Sequence, residues 1–127
     1  MNFKWLKPDT PTASITIDKL KRLYLSSEAR KLIGVAAPFK LFVGYDYVNK
    51  RLVLSRPDIV KITEVKPFNF DSRGYAHARG FVNNLKLPSG AYPLKFEFVG
   101  RDLSEYPEGV FCFQLEQYEA PDDKGTI

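Results

Sequence analysis

Cysteine is almost missing from this chain: Cys112 is the only one. That excludes an internal disulfide framework and any zinc site built from several thiolates. Histidine is as scarce, with His77 alone, so a pair of imidazole metal ligands is excluded too. No apolar run approaches the ~20 residues that a membrane-spanning helix needs, and no membrane partner is expected. The opening "MNFKWLKPDTPT" lacks the apolar stretch of a secretory signal, which predicts a soluble, cytoplasmic protein. There is no glycine-rich phosphate loop and no carboxylate pair at a useful spacing. The expectation is therefore no enzyme, no catalytic residue, no cofactor and no metal. His77 lies between alanines in "GYAHAR", with Ser72 the only nearby hydroxyl, and reads as a structural histidine rather than a catalyst. Cys112, flanked by Phe111 and Phe113, reads as a packing residue.

What remains is a chain of 127 residues, 44% apolar and 14% aromatic, which suffices for the core of one compact domain. Its charge is uneven. Residues 1–64 hold twelve Lys/Arg against six Asp/Glu, whereas residues 65–127 hold seven against nine. A basic first half can meet phosphate or an acidic protein.

The order of signals repeats. After a proline-rich arm (1–13), "SITID" alternates into a strand ending at Asp18, "KLKR" makes a charged turn, and "LYL" resumes extended structure. Ser26 or Ser27 can cap a helix, Glu28 suits its positive end, Ala29, Leu32 and Ile33 form its apolar stripe, and Gly34 ends it. "FKLFVGYD" and "KRLVLS" then read as a hairpin around "YDYVNK". A segment bracketed by Pro57 and Pro67 follows, with a β-branched stretch "IVKITEV" able to form a strand. The second unit opens with "FNF". Asp71 or Ser72 can cap a longer helix carrying Tyr75, Ala78, Val82 and Leu85, and "LPSGAYP" turns the chain. The strands "LKFEFVG" and "GVFCFQLE" should place Leu94, Phe96, Phe98, Phe111, Phe113 and Leu115 inward, with Ile17, Leu41 and Leu52. Aligning Asp18 with Asp71 and Arg30 with Arg79 makes this an internal duplication. The fold class expected is mainly β with short helices (α+β), as tandem β-α-β-β modules forming a swapped-hairpin-like barrel.

The stretch "ITIDKLKRLYLSSEARKLIGV…FKLFVGYDYVNKRLVLSR" resembles the swapped-hairpin DNA-binding domain of the AbrB, MraZ and MazE group. That pattern has a strand ending in Asp, a basic turn ending in Gly-Arg, a second short strand, a short helix ending in "LG" and a β-hairpin. The chain departs from it in carrying Lys21 where the family usually has Gly, and Leu25-Ser26 where "IP" is usual. The resemblance implies a first module over 14–56, a linker at 57–66, a diverged second module over 67–118 and an acidic tail at 119–127. Two modules interleaving their hairpins would close one barrel, either within the chain or with a second chain as a homodimer. The implied partner is double-stranded DNA, contacted through a basic surface of Lys19, Lys21, Arg22, Arg30, Lys31, Arg73 and Arg79. Lys50, Arg51 and Arg56 can extend that surface or protect strand edges. The rival reading is a non-enzymatic protein-interaction module, a small inhibitor or adaptor of the kind some viruses direct at host proteins. The acidic second half favours it, because a DNA face built by both modules should be basic in both. Phe3, Trp5 and Leu6 in the arm can pack on the barrel or mark a partner site.

Overall fold

The computed structural model describes residues 12–60, 62–87, 92–101, 106–118 and 120–121. Among them lie eight strands and two short helices: β1 (Ser14–Ile17), β2 (Arg22–Leu25), α1 (Ser27–Ile33), β3 (Phe39–Asp46), β4 (Arg51–Ser55), β5 (Phe68–Phe70), β6 (Tyr75–His77), α2 (Arg79–Asn84), β7 (Leu94–Arg101) and β8 (Phe111–Leu115). The order β-β-α-β-β is thus run through twice, with one strand more before each helix than the β-α-β-β unit expected, because the residues after each aspartate-led turn pair as β2 and β6. All strands join one antiparallel sheet in the order β5-β3-β4-β8-β7-β1-β2-β6. Its two ends, β5 and β6, are consecutive in the chain. A tight turn joins them, in which the Asp71 N–H donates to the Tyr75 carbonyl at 2.8 Å. The sheet is therefore a nearly closed barrel, with little edge left to pair with another chain.

Alternation decides what fills the barrel. Ile15, Ile17, Leu23, Leu25, Leu41, Leu52, Leu54, Phe96 and Phe113 are all completely buried, and Phe70 nearly so. Phe39 stacks on Phe70 with ring centroids 4.9 Å apart, and Phe98 meets Phe113 edge-on at 5.6 Å. The expected inward set is borne out, with Leu94, Phe98 and Leu115 only half-buried. β4 and β8 are covered on their outer side as well, so Arg51, Cys112 and Gln114 are buried. Arg51 belongs neither to an edge nor to a basic surface, because β4 lies between β3 and β8. Its Nε donates to Gln114 Oε1 at 3.0 Å.

Helix α1 forms as its sequence dictates at both ends. Ser26 is the N-cap, its Oγ accepting the Ala29 N–H at 3.1 Å. The same oxygen accepts the Ser14 N–H at 3.0 Å, which ties the helix to β1. Gly34 closes the helix at φ 84°, its N–H donating to the Arg30 carbonyl. Ala29 and Ile33 face the core, but Leu32 is 43% exposed, so the apolar stripe is narrower than expected.

The second helix departs further from expectation. α2 spans only Arg79–Asn84, with Val82 buried, and Tyr75–His77 form a strand. Gly74 sits at φ +89°, a left-handed conformation in which an added Cβ would come within 2.7 Å of the Leu25 carbonyl. The chain turns there and pairs with β2 (Arg22 opposite His77, Leu23 opposite Ala76, Tyr24 opposite Tyr75). Pairing between distant strands overrides the local helical spacing. Arg79 is consequently the first residue of α2, whereas Arg30 is the fourth of α1, so the "AR" pair does not align the two helices. The stretch 59–65 forms no strand among the described residues. It follows a turn in which the Ile59 and Val60 N–H groups both donate to the Arg56 carbonyl. The arm with Phe3, Trp5 and Leu6, the core of "LPSGAYP" and the end of the tail lie outside the described residues.

Candidate nucleic-acid interface

The barrel's basic surface begins with two turns of one design. In the first, Asp18 Oδ1 accepts the N–H groups of Leu20 (2.9 Å) and Arg22 (2.8 Å). In the second, Asp71 Oδ1 accepts those of Arg73 (2.9 Å) and Tyr75 (3.0 Å). Asp18 N–H donates to the Arg22 carbonyl, and Asp71 N–H to that of Tyr75. The fourth residue of each turn, Lys21 at φ 60° and Gly74 at φ 89°, is left-handed. An aspartate leading such a turn satisfies backbone donors that would otherwise lack partners.

These bonds also set the charge of both carboxyls. Burial alone would raise Asp18, but the Arg22 backbone and side-chain hydrogen bonds and the Arg22 charge hold it below the ordinary carboxylate value. Asp71 is held low chiefly by the Tyr75 N–H, against a smaller opposing effect of burial, with the Arg73 N–H and charge adding to it. Both stay ionised near neutrality, and both are committed to their turns.

The turns lead into β2 and β6, which pair with each other. Leu23, Leu25 and Ala76 point into the barrel, so alternation puts Arg22, Tyr24, Tyr75 and His77 on the outer face. The Tyr24 and Tyr75 rings lie 4.7 Å apart. The Arg22 guanidinium sits 4.5 Å from the Tyr75 ring centroid, and that of Arg73 sits 5.2 Å from the same ring. Arg22 Nε donates to Asp18 Oδ2 at 2.7 Å. Arg30 lies against the second turn, close to where a Gly74 side chain would begin. Lys21 Nζ donates to Asn83 Oδ1 of α2, while Lys19 and Leu20 are exposed at the tip of the first turn. A shallow depression of about 270 Å³ separates that tip from Pro93.

Of the basic residues expected at a DNA surface, Lys19, Lys21, Arg22, Arg30 and Arg73 thus cluster around the two turns. Lys31 is exposed on α1, and Arg79 is exposed at the start of α2, two residues beyond the His77 that faces Arg22. Arg56 is engaged elsewhere, donating to both Asp58 oxygens and to the Ile33 carbonyl at the end of α1. Neither Tyr24 nor Tyr75 is expected at a functional surface from the sequence, where Tyr75 reads as part of a helix's apolar stripe rather than of strand β6. Their signal is the alternation "RLYL" and "YAH", which only cross-strand pairing turns into an aromatic pair.

A second concavity lies on the outer side of β3 and β4. It encloses about 470 Å³ beneath residues Val60, Ile62 and Val65 and against Tyr106, Pro107 and Val110. Its floor includes Phe42, Gly44 and Val53, with Asp46 at one end. Tyr106 donates its hydroxyl to Asp46 Oδ2 and accepts from Arg51 Nη1 at 3.4 Å.

No helix among the described residues is long and apolar enough to cross a membrane. The chain matches no family model, and comparison with curated proteins and with solved structures yields no match either.

Proposed function

We propose that this chain is a DNA-binding regulator of the AbrB, MraZ and MazE kind, made of two diverged tandem modules whose hairpins interleave within one chain. Two features support the tandem reading. The element order repeats, and the Asp18 and Asp71 turns share their hydrogen bonds. The strand exchange agrees with it: β1 pairs with β7 of the other half, and β5 pairs with β3. The observation that carries the functional reading is the outer face of β2 and β6, where Arg22 and Arg73 share the Tyr75 ring beside Lys19 and Lys21. Guanidinium and ammonium groups concentrated on one exposed face neutralise phosphates and release condensed counterions. Arginine can in addition donate two hydrogen bonds to a guanine edge.

The test is a salt-dependent gel shift on a random-sequence duplex. Wild type should bind at low salt. Replacing Lys19, Lys21 and Arg22 together by alanine should reduce the salt slope of log K by about three, close to one per lost phosphate contact. Wild type that leaves the duplex unshifted at low salt overturns the reading.

The second reading is a protein-interaction module, and the apolar concavity under Val60, Ile62 and Val65 favours it. It predicts no DNA binding near physiological salt, and loss of a protein partner on Val53→Asp with the basic turn left intact.

A further inference from the structure

The two turns match in backbone and differ in charge. Matched by their hydrogen bonds, Lys19 corresponds to Ser72, Leu20 to Arg73, Lys21 to Gly74 and Arg22 to Tyr75. The second turn therefore lacks the counterpart of Arg22 and carries an aromatic ring there. That ring is not idle, because the guanidiniums of Arg22 and Arg73 both lie over it, at 4.5 and 5.2 Å from its centroid.

Two like charges brought to one place repel each other, and long arginine side chains lose rotamer freedom when held. A ring face compensates both effects, since its negative quadrupole attracts each cation while the guanidinium edges keep their N–H groups available. Arg22 is held on a second side through Nε by Asp18, which leaves its two Nη groups as donors. The Arg73 guanidinium lies over the ring, and its charge is also drawn to Asp71 of its own turn. Tyr24 backs the same ring at 4.7 Å.

Building on the DNA-binding reading, we propose that Tyr75 is the positioning residue of the interface. It sets Arg22 of the first turn and Arg73 of the second on one platform, ready for phosphate. The second turn then acts as a support for the first rather than as its equal, and the protein engages one asymmetric stretch of duplex instead of two equivalent half-sites.

The experiment measures binding of a fluorescein-labelled random 20-bp duplex by anisotropy across a range of NaCl concentrations, with thermal unfolding of every variant as the check on folding. Tyr75→Ala should weaken binding at low salt by about tenfold or more and lower the salt slope by one to two, although no cation has been removed. Tyr75→Phe, which keeps the ring, should restore affinity to within about twofold of wild type. In an Arg22→Ala/Arg73→Ala background, Tyr75→Ala should change affinity by less than about twofold, because nothing remains to be positioned. An equal loss in both backgrounds would mean that Tyr75 touches DNA itself or only supports the fold, and that overturns the inference. So does wild-type-like binding by Tyr75→Ala; in both cases the DNA reading survives. Wild type that binds no duplex overturns both together.

Discussion

Gly74 and Lys21 occupy matching places in the two turns and pose opposite problems. At Gly74 the left-handed backbone coincides with a close approach, since an added Cβ would lie 2.7 Å from the Leu25 carbonyl. Gly74→Ala should therefore cost about 2 kcal/mol or more, read as a lowered chemical-denaturation midpoint. Lys21, a non-glycine residue at φ 60°, should tolerate glycine at a much smaller cost, limited to its exposed bond to Asn83. Equal tolerance at both positions would contradict this account of the second turn. The turn aspartates add a pH dependence whose sign follows from their lowered pKa values. A carboxyl with a folded value below its unfolded value of about 3.9 contributes stability that is complete above about pH 4 and is lost as the pH falls through the folded value. The melting temperature should thus fall below about pH 4. The Asp18→Asn/Asp71→Asn variant should show a shallower fall over the same window.

Among the secondary-structure elements, α1 and the β3–β4 hairpin were legible because their signals are local. A serine cap, an acidic first turn and a terminal glycine define seven helical residues without outside help. In the hairpin, Asp46 Oδ1 accepts the Val48 and Asn49 N–H groups within the turn itself. The cap has one feature that no sequence pattern announces: Ser26 Oγ also receives the Ser14 N–H from β1. Ser26→Ala leaves two backbone donors without that acceptor, so its cost should reach the upper part of the ~0.5–2 kcal/mol range for lost caps, measured by urea denaturation. A change of a few tenths would mean that the link to β1 contributes nothing. β6 was illegible for the converse reason. Three residues, "YAH", fit the first turn of a helix as well as they fit a strand, and only β2 alongside decides between them.

For the barrel, the seam between the two halves of the chain is where stability should concentrate. β8 pairs with β4 on one side and β7 on the other, and its Phe113 is fully buried against Phe98. Phe113→Ala should cost ~3–5 kcal/mol through lost transfer energy and the cavity left behind. That is a large part of the ~5–15 kcal/mol that holds a domain of this size together, so the melting temperature should drop steeply. An unchanged melting temperature would mean that the barrel does not depend on its inter-half seam.

The alternation of apolar residues, the capped helix, the aspartate-led turn at 18 and the cluster of lysine and arginine after it are written in neighbouring residues. Each is governed by forces that act within a few positions of the chain, and they announced a mainly β protein with an inward face of leucine, isoleucine and phenylalanine. Tertiary structure alone decided which strands became neighbours. That choice buried Arg51 by placing β4 in the middle of the sheet, drew Tyr75 out of a helix into β6, and gave Arg30 and Arg79 different places in their helices. It also brought Arg22 and Arg73, fifty-one positions apart, onto one aromatic ring. Contacts between distant residues depend on strand order and register, which are selected by the burial of the whole core and leave no periodic mark on any single segment.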